Sequence, residues 1–330
     1  MKDIQLLGLG NGLVDLQYEL SDAEFAKLGL RRSEMRLVDE VVQSDILKSF
    51  ANKPMNRCSG GSAANTIIAF RQLGGKAAYK TVLGDDEFGR FYAEEFKKLG
   101  IVLSAQTIAK TATGTCVVLI TPDSERTMHT SLAATALFTE ANIDEELIKR
   151  SEWLYIEGYK FSNPSGTKAV FRATEYARLH HTKVAVTFSD TFITDNFKAN
   201  LDRVVNESEL VFCNEAEALS FTGKATIDEA MDFFADRSQN VVITMGSKGS
   251  QILWNRKKQH IAAYPATLKD TTGAGDVFAG AFMYGLIDTN SLRIAGNLAS
   301  AAGAKVVSQF GARIASGLSE IKKSIYNLNQ

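Results

Sequence analysis

Short apolar runs alternate with helix-period segments along most of this chain, and few folds accept that order. The runs "IQLLGLG", "AAYKTVL", "TCVVLIT", "WLYIEG", "KVAVTFS", "LVFCN" and "VVITMG" are too short for helices and have the length and apolar character of buried strands. Between them lie amphipathic patterns. "PSGTKAVFRATEYARLHH" carries Pro164 near its start, and "TIDEAMDFFADRS" carries acids in its first turn, where the helix dipole favours them. The alternation is clearest after residue 150. It predicts an α/β fold: a doubly wound, mostly parallel sheet with helices on both faces. Two stretches break the pattern, residues 16–40 and 105–135. The second holds paired strand-like runs about a turn at Pro122-Asp123. Together they predict a small β-rich lid over the carboxyl edge of the sheet, within one α/β domain spanning 1–330.

Composition narrows the function classes. The chain has 330 residues, 45% hydrophobic and 23% charged, with a formal net charge of −1, so a sizeable core is expected and disorder is not. No basic surplus exists to hold nucleic acid, and no run is apolar enough to span a membrane. The opening "MKDIQLLGLGNGLVDLQ" lacks a signal-peptide cleavage region and reads as a first strand. Three cysteines, Cys58, Cys116 and Cys213, form no CxxC pair, and the histidines show no ligand spacing. A cytoplasmic protein without a zinc site is the expectation.

The stretch "DTTGAGDVFAGAF", Asp270 to Phe282, places glycines where a helix should begin. Glycine costs helix stability, but it lets an anion approach the unpaired N–H groups at a helix N-terminus. Gly273, Ala274 and Gly275 are therefore candidates for holding a transferring phosphoryl group. Asp276, in the first turn, is placed to accept a proton from an attacking hydroxyl. The positive helix end should keep it ionised and weakly basic, which suits a loose phosphoryl-transfer transition state. The alternative is a small-residue helix packed closely on the sheet. No GxxxxGK[ST] occurs, so this is not a P-loop.

On the acceptor side, Gly60-Gly61 precedes a helix carrying Asn65, whose amide can both donate to and accept from hydroxyls. Asp15 follows the first strand, at the edge where open α/β sheets bind ligands. A flexible helix entry and an ordinary turn acid are the competing explanations.

"DTTGAGD" and "SGGSAANTIIAFRQLGGKAAYKTVLGDDEFG" together resemble the two signatures of the PfkB/ribokinase family of carbohydrate and nucleoside kinases, in the family's order and over essentially the whole chain. The resemblance implies a ribokinase-like fold with a β-sheet lid, and hydroxyl binding by Gly60, Gly61 and Asn65. "GLGNGLVDL", "TGTCVVLITPDSERTMHTSLAA" and "YIEGY" are most similar to the adenosine-kinase branch. There Asn11 and Asp15 would flank a ribose and Tyr159 would stack on a purine. Met35 stands about where animal members offer a polar side chain to the base. The family's N-x-x-E motif, here Asn214 and Glu217, organises Mg²⁺ and phosphate mostly through water; a helix cap is the other explanation. "TMGSKG" supplies Thr244, Gly246 and Gly249 to an ATP-phosphate loop, and Asn297 would border the adenine. Arg126 would act as an arginine finger, and K⁺ would lie beside Asp270 and Thr272. The expected activity is ATP- and Mg²⁺-dependent phosphorylation of a nucleoside 5′-hydroxyl, adenosine foremost. A sugar kinase acting on ribose, fructose or a keto-deoxy sugar acid is the alternative, and a non-catalytic nucleoside-binding protein the third. A monomer and a homodimer paired through the lid fit equally.

Overall fold

The structure, a computed structural model, describes residues 2–123, 125–237 and 239–328. Its strands are β1 (Ile4–Leu9), β2 (Leu13–Glu19), β3 (Met35–Leu37), β4 (Asn56–Gly60), β5 (Ala77–Gly84), β6 (Val102–Ile108) and β7 (Gly114–Ile120), followed by β8 (Arg126–Ser131), β9 (Ser151–Glu157), β10 (Lys183–Thr187), β11 (Leu210–Asn214), β12 (Val241–Thr244), β13 (Ser250–Trp254) and β14 (Lys257–Ile261). The apolar runs assemble into a nine-stranded sheet ordered β14-β13-β12-β11-β10-β9-β1-β5-β6. Its pairings are parallel except at the β12–β13 and β13–β14 hairpins.

Helices cover both faces because successive strand residues point opposite ways. In β9, Trp153 and Tyr155 enter one core, and Leu154 and Ile156 the other. The first core is closed by the helices Ser62–Gln72, Ala274–Thr289 and Leu292–Val307. The second is closed by Pro164–Leu179, Lys198–Asn206, Glu215–Thr222 and Ile227–Asp236. Each large apolar side chain buried there contributes about 1.5–3 kcal/mol. The chain leaves β1 toward β5 and β6 on one side, and β9 to β12 lie on the other. That reversal opens a crevice at the carboxyl ends of the central strands.

A second sheet, ordered β3-β8-β7-β2-β4, continues directly from β1. Strand β2 shows why it is separate. Val14, Leu16 and Tyr18 are buried, whereas Asp15 and Gln17 are only half-buried and Glu19 is exposed. One face thus packs on its own helix, Glu40–Lys48, through Ile46, and the other stays polar. The boundaries differ from 16–40 and 105–135. Strand β4 lies outside both ranges, and β6 belongs to the main sheet. The sequence of β4, "NRCSG", has no apolar alternation because it is an edge strand.

Candidate active site

The helix Ala274–Thr289 starts behind Gly273, whose φ of 71° is left-handed and whose missing side chain leaves room for Ala312. Gly280, further along, packs on the backbone of the Ser62–Gln72 helix, where a side chain would strike the carbonyl of Thr66. Close packing therefore explains these two glycines. It does not explain Gly275, since a side chain there meets nothing within 4 Å among the described residues. Ala274 differs from the sequence expectation. Its N–H already donates to the Thr271 carbonyl (3.1 Å), because residues 271–274 form a tight turn. Val277 N–H donates to the Gly273 carbonyl (2.9 Å), so the first-turn N–H groups left for an anion are those of Gly275 and Asp276.

Asp276 is itself in this first turn. Ser62 Oγ donates to its Oδ1 (2.7 Å) and Asn65 Nδ2 to its Oδ2 (3.1 Å). The helix end by itself would keep this carboxylate ionised and weakly basic, and burial works against it. Burial pushes its pKa up to about 6, against the lowering effect of those two hydrogen bonds. Asp276 is a better base than the helix dipole alone would allow.

The acceptor residues converge on the same place. Side chains at Gly60 and Gly61 would collide with the Asp15 carboxylate and the Asn11 carbonyl, and Gly61 has a φ of 107°. Glycine is what lets β2, β4 and the Ser62 helix close around Asp15. Burial raises the Asp15 pKa to about 6, opposed chiefly by the charge of Arg313 and then of Arg126. Arg313 also donates to Asn65 Oδ1 (3.3 Å), Glu95 Oε1 (3.1 Å) and Ser59 Oγ (2.8 Å). Asn65 is thereby oriented with its NH₂ group toward Asp276. The Asn11 side chain, expected beside a ribose, has its oxygen committed to Thr135 Oγ1 and Lys160 Nζ, both at 3.0 Å. A cavity of about 520 Å³ opens further out along β2, lined by Gln17, Asn56, Arg126 and Phe310 among others.

Across the crevice, Met35 and Leu37 are 40% and 51% exposed on β3. The Tyr159 hydroxyl reaches the Met35 sulfur (3.9 Å) and Asp190 Oδ2 (3.5 Å). The turn that follows β9 and the second sheet thus meet through a tyrosine hydroxyl and a thioether.

On the nucleotide side, Asn214 and Glu217 form a capping box on the Glu215–Thr222 helix. Both carboxylate oxygens of Glu217 accept from Asn214, at 3.0 and 2.7 Å. The cap explanation therefore holds for these contacts, and direct metal ligation by this pair would disrupt them. Among the described residues no group of three or more His, Cys, Asp or Glu stands ready to hold a metal. Water-mediated Mg²⁺ still fits. Burial, opposed by the Asn214 N–H and reinforced by the charges of Asp190 and Asp276, raises the Glu217 pKa to about 7, and a hydrated dication would relieve that charge repulsion. Thr244 ends β12, and Gly246 and Gly249 shape the turn into β13, where Gly249 packs on the Ile261 carbonyl. Asn297 lies mid-helix in Leu292–Val307, beside Gly296, which packs on Ile252 and Ile261.

Arg126 is not free to swing in this state. Its Nη2 lies 2.6 Å from Asp270 Oδ2, with the two side chains only 6% and 3% exposed. The hydrogen bonds that Asp270 accepts come from the N–H groups of Thr272 (2.9 Å) and Gly311 (2.7 Å). The K⁺ expected beside Asp270 and Thr272 does not fit, because Arg126 already supplies a cation and both carboxylate oxygens are engaged.

The sequence matches the family described as pfkB family carbohydrate kinase over residues 45–318. This chain belongs to that family. It is similar to adenosine kinase of Saccharomyces cerevisiae, at 28% identity over 302 residues, covering 85% of this chain and 88% of the relative. Among solved structures, a probable sugar kinase from Rhizobium etli superposes with a TM-score of 0.90 at 29% identity, covering 98% of this chain and 99% of that one. Adenosine kinase from Sinorhizobium meliloti gives 0.89 at 26% identity, with the same coverage. The chain is accordingly a phosphotransferase with an alcohol acceptor and a ribokinase-like fold. The relatives divide between nucleoside and sugar acceptors.

Several residues of this pfkB kinase site escaped the sequence reading. Arg313 lies in "QFGARIASG", where a lone arginine among small residues carries no periodic signal. Ser62 sat unremarked inside the glycine motif. Glu157 did leave a trace: it is a charged residue directly after the apolar run Trp153–Ile156, and it is fully buried.

Proposed function

We propose that this pfkB kinase transfers the γ-phosphoryl group of ATP to the 5′-hydroxyl of a nucleoside, adenosine foremost. The observation that carries the nucleoside reading is the contact of Tyr159 with Met35 on β3, the strand that also exposes Leu37. A free sugar needs hydroxyl contacts but no such apolar slot. A purine entering it stacks on Tyr159 and packs against the adaptable Met35 side chain. Asp15 then accepts hydrogen bonds from the ribose hydroxyls, next to Gly60 and Gly61.

The chemistry follows from Asp276. As the acceptor oxygen bonds to the γ-phosphorus and the bond to the β-phosphate oxygen breaks, the hydroxyl proton passes to the Asp276 carboxylate and ADP leaves. Ser62 and Asn65 hold that carboxylate in place. The first-turn N–H groups at Gly275 stabilise the charge on the transferring group. Mg²⁺, when bound through water near Glu217 and Asp190, would neutralise phosphate charge. The second sheet acts as a lid that excludes water.

A substrate screen tests this reading: adenosine should give kcat/KM well above ribose, fructose or 5-dehydro-2-deoxygluconate. Tyr159→Ala should weaken adenosine use by about 1–3 kcal/mol, one stacked base, and leave residual sugar activity unchanged. A sugar that outruns every nucleoside would return the chain to the sugar-kinase alternative.

A further inference from the structure

Helix Ser62–Gln72 begins at Gly61, which has no side chain to cap it. An acceptor comes instead from another part of the chain. Glu157 Oε2 accepts from the Ala63 N–H (2.9 Å), and Oε1 accepts from the Asn11 N–H (2.7 Å). Glu157 lies at the carboxyl end of β9 and is 0% exposed. Because β9 pairs with β1 through Ile156 and Leu9, the carboxylate is carried under the loop that follows β1. Gly10 leaves the space for it, since a side chain there would overlap Glu157. The Asn11 loop is held at its other atoms too: its carbonyl accepts from Tyr79 Oη (2.9 Å), and its side-chain oxygen from Lys160. Lys160, also buried, supplies the nearby positive charge.

We propose that Glu157 is a positioning residue: its carboxylate locks the Asn11 loop to the N-terminus of the Ser62 helix, and through Ser62 and Asn65 it sets the geometry of Asp276. The chain of contacts is continuous. Glu157 fixes Ala63, the adjacent Ser62 and the next-turn Asn65 follow rigidly, and both of these donate to Asp276. Two N–H donors converge on two oxygens, so only a carboxylate of this length satisfies both. A glutamine presents one oxygen and turns an NH₂ group toward the second donor. An aspartate keeps the charge but is one methylene short. This inference rests on Asp276 being the base.

The test combines kinetics with amide hydrogen exchange on the full chain. In Glu157→Gln, exchange should quicken about tenfold or more in peptides spanning 8–14 and 61–66, the scale of one lost buried acceptor, while the β10–β12 region stays protected. With the acceptor that the wild-type protein uses, kcat should fall by about tenfold or more, with the KM for ATP within about twofold of wild type. Glu157→Asp should show the same pattern and serves if the glutamine variant does not accumulate. Unchanged exchange at those two segments, acceleration spread over the whole chain, or a kcat within about twofold of wild type would each overturn the proposal. Should the wild-type protein phosphorylate no nucleoside or sugar, the Asp276 reading falls, and the exchange measurement still decides whether Glu157 locks the two segments.

Discussion

At the scale of single residues, Asp276 carries two opposing demands. Hydrogen bonds from Ser62 and Asn65 favour its charged form, and burial disfavours it more strongly, leaving a pKa of about 6. The folded-state value lies above the ordinary 3.8, so the neutral form is the one folding prefers. The stability cost of the carboxylate is therefore absent below pH 3.8, grows as the pH rises, and is complete above about 6. Asp276→Asn should raise the melting temperature of the ligand-free protein at pH 8, and the gain should shrink as the pH falls through 6 toward 4. The same variant should lose about 10²–10⁴-fold in kcat, the range of a general base. Near-normal turnover in Asp276→Asn would remove the residue from the mechanism. Wild-type activity should decline on the acid side as Asp276 and Asp15 protonate, both near pH 6. The helix dipole, which was visible in the sequence, pointed the other way. Burial of a carboxylate depends on which distant segments meet it, and here the helix Ser62–Gln72 does so through Ser62 and Asn65.

At the scale of elements, the helix Ala274–Thr289 separates glycines with different causes. Gly273 and Gly280 are needed by backbone conformation and packing, and Gly275 by neither. Gly275→Val should thus leave the melting temperature of the free protein nearly unchanged. It should lose turnover equivalent to about 2.7–4 kcal/mol, the value of an anion-hole donor. Calorimetry beside kinetics checks this; a fully active variant would show that no phosphoryl group approaches Gly275. The apolar strands were legible because both of their faces are buried: every residue of β5 is buried, so no alternation was needed to find it. Strand β2 was hidden in a stretch that looked polar and broken, since Asp15, Gln17 and Glu19 alternate with its buried residues. Strand β4 has no sequence signal at all. Its hydrogen bonds to β2 come from the fold. The motif residues of the site were legible, but the groups that orient them were not. Arg313 acts on Asn65 from 248 positions away, a separation at which no local pattern speaks.

At the scale of the whole molecule, the Arg126–Asp270 pair ties the second sheet to the loop that feeds the anion helix. Both side chains are nearly fully buried, and among the described residues neither Arg126 Nε nor Nη2 makes a hydrogen bond, so the pair is held by charge proximity alone. Such a pair contributes little net stability, because desolvating two charges offsets their attraction. Breaking it is another matter. Arg126→Met leaves Asp270 charged and uncompensated, at a cost of about 3–5 kcal/mol, so thermal denaturation should show a clear drop in melting temperature. Two roles for Arg126 then make different predictions. If it only pins the lid, Arg126→Met combined with Asp270→Asn should recover both stability and kcat, since no unpaired charge remains. If Arg126 leaves Asp270 to meet the transferring phosphoryl group, the double variant should recover stability while kcat stays depressed. The buried, unpartnered Nε favours the second outcome, because a guanidinium held there for structure alone would be expected to have its donors satisfied. A double-mutant cycle, read in parallel by melting temperature and by kcat with saturating ATP, decides it: full recovery of kcat would assign Arg126 to the lid contact and exclude it from phosphoryl transfer.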